Sequence, residues 1–102
     1  PTSGSKEDHV SMSAHAALKC EQVVRNLEQV LAIEILSACQ ALDLLKPLRP
    51  ARPVEAVRAA VRRAVPPLAA DRPLSPDIEA VRRLLVSGAL LAAVESVAGP
   101  LA

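Results

Sequence analysis

Val30-Leu-Ala-Ile-Glu-Ile-Leu-Ser-Ala-Cys-Gln-Ala-Leu42 is the stretch on which the fold turns. Only Glu34, Ser37 and Gln40 interrupt its apolar character, so a helix here is apolar nearly all round. It falls short of the ~20 apolar residues that span a bilayer. A helix apolar on every side is instead surrounded by protein. The stretch lies inside a longer run, Val10 to Leu45, that contains neither Pro nor Gly and is rich in good helix formers. That run predicts a single helix about 50 Å long at ~1.5 Å per residue. In its early half Leu18, Val23 or Val24, Leu27, Val30 and Leu31 recur at helical spacing, with Lys19, Glu21, Arg25 and Glu28 on other faces. The residues that follow are too few to enclose such a helix, which therefore expects neighbours from outside this chain.

On the C-terminal side, Lys46-Pro-Leu-Arg-Pro-Ala-Arg-Pro53 is a proline-punctuated connector. Pro53 suits the first position of a helix whose apolar stripe is Val54, Val57, Val61, Ala64 and Val65, and Pro66-Pro67 stops it. After a second connector, Asp71-Arg72-Pro73-Leu74, the order Ser75-Pro76-Asp77 reads as N-cap, first helical residue and an acid facing the positive end of the helix dipole. That helix continues through Ile78, Val81, Leu84 and Leu85 to a break at Ser87-Gly88, and Ala89 to Val97 forms a last helix ended by Gly99-Pro100. On the N-terminal side, residues 1–8 read as a loop. No strand of period two and no internal repeat is present. The expected fold is all-α, one long helix followed by three shorter ones.

Of the 102 residues 51% are hydrophobic and none is Phe, Tyr or Trp, so a core here is built from Leu, Val, Ile and Ala. The lack of aromatics also removes base-stacking side chains and any Tyr acid or base. The first residue is Pro1 rather than Met, which reads as a processed chain or a piece of something longer. Charge is uneven: residues 1–45 carry six acids and three bases (−3) and residues 46–102 nine bases and five acids (+4), recovering the net +1. Lys46, Arg49, Arg52, Arg58, Arg62 and Arg63 hold most of the surplus; they could form a phosphate-binding patch, but without a phosphate-binding loop beside them they read as a solvated helix face and connector. Cys20 and Cys39 stand nineteen positions apart on the long helix, roughly 28 Å, beyond the reach of a disulfide. Two unpaired thiols, with neither a secretory leader nor a spanning segment, fit a cytoplasmic protein with no membrane or nucleic-acid partner.

Lys6-Glu7-Asp8-His9 is a dense polar cluster before the long helix. Glu7 and Asp8 have the chemistry of an acid–base pair, and His9 titrates near neutrality. The same residues also read as a solvated terminus with Asp8 capping the helix. His9, His15, Cys20 and Cys39 lack the spacing of three or four that places two ligands on one helix face, so no metal site is expected. Glu34 reads either as an inward functional carboxylate or as a member of an interhelical ion pair, and pairing with an Arg is the expectation; Ser37 and Gln40 are expected to hydrogen-bond between helices.

Pro1-Thr-Ser-Gly-Ser-Lys-Glu-Asp-His-Val-Ser-Met12 resembles the segment of the histidine ammonia-lyases, in the aromatic amino acid ammonia-lyase family, that carries their Glu-Asp-His-Val-Ser-Met motif. The likeness continues in order through Val30-Leu-Ala-Ile-Glu34, Ala38-Cys-Gln-Ala-Leu-Asp43, Lys46-Pro-Leu48, Asp71-Arg72, Pro76-Asp77-Ile78-Glu79-Ala80 and Ser87-Gly88-Ala89-Leu90. Essentially the whole chain is covered, as the C-terminal fifth of such an enzyme. The chain departs from the family at Ser13, where Gly is frequent, and at Pro73-Leu74, where aromatic residues are common.

The resemblance implies a homotetramer of helical bundles in which central helices from different subunits pack together. It implies an enzyme that eliminates ammonia from L-histidine to give trans-urocanate, the first step of histidine catabolism. The electrophile implied is 4-methylidene-imidazol-5-one (MIO), cyclised autocatalytically from an internal Ala-Ser-Gly, with a Tyr as base. Neither that triplet nor any Tyr occurs here. The chain would thus supply one wall of the active site and be inactive without the remainder of the enzyme. Its layout would be an active-site loop at 1–9, a long core helix at 10–45 and short C-terminal helices at 46–102. Of the family's active-site residues only the motif's Glu is carried over, at Glu7, as both catalytic and substrate-binding residue. The phenylalanine and tyrosine lyases have an amide there. A carboxylate accepts a hydrogen bond from an imidazole N–H, whereas against a benzene ring it would be a desolvated charge without a partner. No role passes to Asp8, His9 or Glu34. The alternatives are a phenylalanine or tyrosine ammonia-lyase or aminomutase relative, and a non-catalytic helical interaction module.

Overall fold

A computed structural model describes residues 2–8 and 10–101. Four helices follow in chain order: α1 (Ser13–Leu44), α2 (Arg52–Ala64), α3 (Ser75–Val86) and α4 (Ala89–Ala98). No helix among the described residues is long and apolar enough to cross a membrane.

The long helix begins at Ser13 rather than Val10 and ends at Leu44 rather than Leu45. Asp8 does not cap it. The Ser11 hydroxyl accepts the Ser13 amide at 3.3 Å, satisfying one of the first free N–H groups from nearer by. In α2, Pro53 lies in the first turn and Val65 closes the helix in an extended conformation before Pro66. Ser75 is not the cap of α3 but its first helical residue. Leu74 already holds a helical conformation and its carbonyl accepts the Ile78 amide at 2.9 Å, so no side-chain cap forms. Gly88, at φ 76°, provides the left-handed turn that separates α3 from α4.

Packing pairs α1 with α3 and α2 with α4. The buried core is small: Ala32 and Cys39 from α1, Ala60, Val61 and Val65 at α2, Val81 from α3 and Leu90 from α4. Ile35, Leu36, Val57, Ile78, Leu84 and Leu85 pack around it. With no aromatic side chain, three valines are the largest residues fully withdrawn from water. The shape is elongated, 69 × 38 × 18 Å with a radius of gyration of 19.9 Å, against about 13 Å for a compact chain of this length.

That elongation comes from α1. Leu18, Val23, Val24, Leu27 and Val30 are all exposed, so the described residues leave the apolar stripe of its early half largely uncovered. In the later half, Ala32, Ile35, Leu36 and Cys39 turn toward the other helices while Val30, Ile33 and Leu44 remain exposed. Glu34 lies on the open side as well. It is exposed and makes no ion pair among the described residues, contrary to the pairing expected of it. Arg58 and Arg62 of α2 and Arg82 of α3 are committed elsewhere, to Asp43, Glu55, Glu79 and Glu28.

Candidate functional site

Glu7 sits in a small closed loop ahead of α1. Its backbone pairs with Thr2 in an antiparallel bridge, the Thr2 amide donating to Glu7 O at 2.9 Å and the Glu7 amide to Thr2 O at 3.3 Å. Between them Ser3, Gly4 and Ser5 all take positive φ, at 53°, 64° and 67°. This run of left-handed residues is what turns the chain back so sharply. On the side-chain level, Thr2 Oγ1 and Ser3 Oγ both donate to Glu7 Oε2, at 3.4 and 3.2 Å. Glu7, Asp8 and Lys6 are exposed. His9 lies outside the described residues. The loop thus presents a carboxylate at its rim, and Asp8 makes no hydrogen bond among the described residues that would mark it as a partner in proton transfer.

A second polar cluster, which the sequence reading did not single out, joins α1 to α2. The Asp43 side chain is only 8% exposed and receives Arg58 Nη1 at 2.6 Å, Arg62 Nε at 2.7 Å and Lys46 Nζ at 3.4 Å. Burial opposes the Asp43 charge, but hydrogen bonds from Arg62 and Lys46 and their positive charges outweigh it and hold the carboxyl below its ordinary range. Glu55 chelates the same Arg58 through both oxygens. Three of the six bases read as a solvated face, Lys46, Arg58 and Arg62, are therefore paired on one carboxylate.

Gln40 extends this cluster as expected of an interhelical contact. Its side-chain amide donates to Leu68 O at 3.3 Å, and its oxygen accepts the Leu68 amide at 2.9 Å and Arg62 Nη2 at 3.4 Å. Arg62 and Arg72 also donate to the carbonyls of Val65, Pro66 and Pro67, so side chains satisfy a connector that cannot form a helix. Ser37, by contrast, is exposed and makes no such bond among the described residues. A groove of about 370 Å³ lies between α1, this connector and α3, with Ile33, Leu36, Leu68 and Ile78 in its lining. It is remote from Glu7, ~30 Å along α1 from the helix start.

Both cysteines are unpaired, Cys20 exposed and Cys39 buried. Burial pushes the Cys39 thiol up, against the lowering effect of the nearby Arg62 charge. Cys39 should therefore resist alkylation by iodoacetamide at pH 8 and react only once denaturant opens the core, as read by mass spectrometry of the labelled peptide. Among the described residues no group of three or more His, Cys, Asp or Glu is placed to hold a metal ion.

The loop that carries Glu7 and the long helix behind it have counterparts in known proteins. The family model for aromatic amino acid lyase matches residues 1–63. The chain belongs to that family. Histidine ammonia-lyase of Symbiobacterium thermophilum is 54% identical over 101 residues, 99% of this chain and 20% of that protein. The human histidine ammonia-lyase is 51% identical over 85 residues, 83% of this chain and 13% of that one. The crystal structure of histidine ammonia-lyase from Trypanosoma cruzi superposes with a TM-score of 0.84 at 47% identity, covering 93% of this chain and 19% of that one. The chain thus spans about a fifth of the length of the curated bacterial relative. The helical fold and the resemblance to histidine ammonia-lyases expected from the sequence are both borne out.

Two features of the geometry were not read from the sequence. The hydroxyls of Thr2 and Ser3 on Glu7 were signalled only by the tight Ser3-Gly4-Ser5 turn between two residues that can pair. The Asp43 cluster had a clearer sign: an acid at the end of α1 beside a basic connector.

Proposed function

We propose that this chain is the C-terminal segment of a histidine ammonia-lyase, which eliminates ammonia from L-histidine to give trans-urocanate. The observation that carries the reading is the 54% identity to a histidine ammonia-lyase across nearly the whole segment, together with a carboxylate at Glu7 where the phenylalanine and tyrosine lyases have an amide. In this reading the loop ahead of α1 borders the active site, α1 is the long core helix and α2 to α4 are the short C-terminal helices. Glu7 binds the substrate's imidazole by accepting its N–H and shares in handling its proton. The exposed apolar side chains of α1 support a place among helices of other subunits in a homotetramer; a cytoplasmic location is part of the same proposal and rests on the family likeness.

No Ala-Ser-Gly occurs in this chain, so its residues cannot form or hold MIO. That electrophile, and the Tyr base, belong to the remaining four-fifths of the enzyme. The chain's own contribution is to place one acceptor oxygen at the edge of the substrate site.

Urocanate absorbs in the ultraviolet, which makes the test direct. This chain alone, given L-histidine, should produce no urocanate absorbance, and the chain together with the remainder of the protein should produce it. Absence of activity from the complete protein, or preference for phenylalanine or tyrosine, overturns the assignment.

A further inference from the structure

We infer that Thr2 and Ser3 are positioning residues for Glu7, an inference that rests on the reading of Glu7 as the imidazole contact. A glutamate in water has three rotatable side-chain bonds and samples many rotamers. Here two hydroxyls converge on one of its oxygens, Thr2 Oγ1 and Ser3 Oγ both donating to Oε2. Oε1 accepts no hydrogen bond from the described residues. The carboxylate is therefore held along one edge, with the other oxygen presented to accept an N–H.

The backbone is built to make this convergence. Ser3 at φ 53° and Ser5 at φ 67° occupy a region that costs an L-residue energy, and the paired Thr2 and Glu7 backbones close the turn around them. Without that reversal, residues four and five positions apart in an extended chain would stand well beyond hydrogen-bond reach. At 3.2 and 3.4 Å both bonds are long for a hydroxyl and a carboxylate. Such contacts commonly shorten when substrate encloses the site.

The test uses the complete enzyme and four proteins in a cycle: the parent, Thr2→Val with Ser3→Gly, Glu7→Gln, and all three changes together. Valine keeps the shape of threonine, and glycine suits the backbone angle at position 3, so the hydroxyls are lost with little strain. In the parent background the pair should lower kcat/KM for L-histidine about tenfold, mostly in kcat. In the Glu7→Gln background the same pair should change it by less than about twofold, because the hydroxyls act through the carboxylate. Thr2→Ser, which keeps the hydroxyl, should remain near the parent. If Glu7→Gln lowers turnover but the pair does not, or lowers it by an equal factor in both backgrounds, the positioning role is overturned and the reading of Glu7 stands. If Glu7→Gln leaves turnover unchanged, the reading of Glu7 falls and the positioning role falls with it.

Discussion

If the proposed role holds, Glu7→Gln in the complete protein should lower turnover of L-histidine by about a hundredfold or more without disturbing its assembly. The substitution keeps the size of the side chain and removes its charge. An amide still offers one carbonyl oxygen to an imidazole N–H. It carries no charge to stabilise positive charge on the ring, and its NH₂ is a donor where an acceptor is needed. The fold should not suffer. The loop is closed by backbone bonds between Thr2 and Glu7, which do not involve the side chain, and Glu7 itself is exposed. Steady-state kinetics and gel filtration on the same preparation separate the two effects. Near-normal turnover with an intact oligomer would remove Glu7 from the active site.

Asp43→Ala carries the largest expected structural cost, about 2–4 kcal/mol. Removing one partner of a buried pair strands the others, and Arg62 is only 11% exposed. The figure stays at or below the usual range because Arg58 keeps its contacts with Glu55 and Lys46 is mostly in water. Asp43→Asn should cost less, since an amide oxygen still accepts from one arginine. Hydrogen–deuterium exchange of the α2 amides reports the local loss, and unchanged protection in Asp43→Ala would show the cluster to be dispensable. The same pairing has a pH signature. The folded carboxyl titrates below its ordinary value of 3.8, so the unfolded state takes up its proton first as acid is added. The stabilisation is present in full above about pH 4 to 5 and is lost as pH falls through the lower, folded value. Acid below that range should therefore loosen α2 in the parent and have a smaller effect in Asp43→Ala.

How much of this was legible beforehand depends on the range over which each interaction acts. Helix boundaries came within a few residues because Pro, Gly and the long uninterrupted run from Val10 to Leu45 act locally on the backbone. The cap assignments failed at Asp8 and Ser75. Which nearby group reaches the first amides depends on one or two backbone angles that side-chain identity does not specify. Glu34 was expected to find an arginine because arginines are plentiful, but pairing is decided by which face of α1 meets α2 and α3. Glu7 stood out by its motif, whereas the hydroxyls that reach it did not. Thr2 and Ser3 are ordinary loop residues until a left-handed turn brings them onto its carboxylate.

The sequence by itself determined that the chain is helical, that α1 is too apolar for this chain to cover, and that it carries the Glu-Asp-His-Val-Ser-Met motif on which the proposal for Glu7 rests. These follow from periodicity, composition and a motif, all of which are properties of residues in order. Only the tertiary structure decided which acids and arginines meet, that Lys46, Arg58 and Arg62 converge on Asp43, and which side of α1 stays open. Those outcomes depend on the relative placement of helices far apart in sequence, as with Arg82 of α3 reaching Glu28 of α1. A charge at the surface is cheap in either state, so composition alone does not specify its partner.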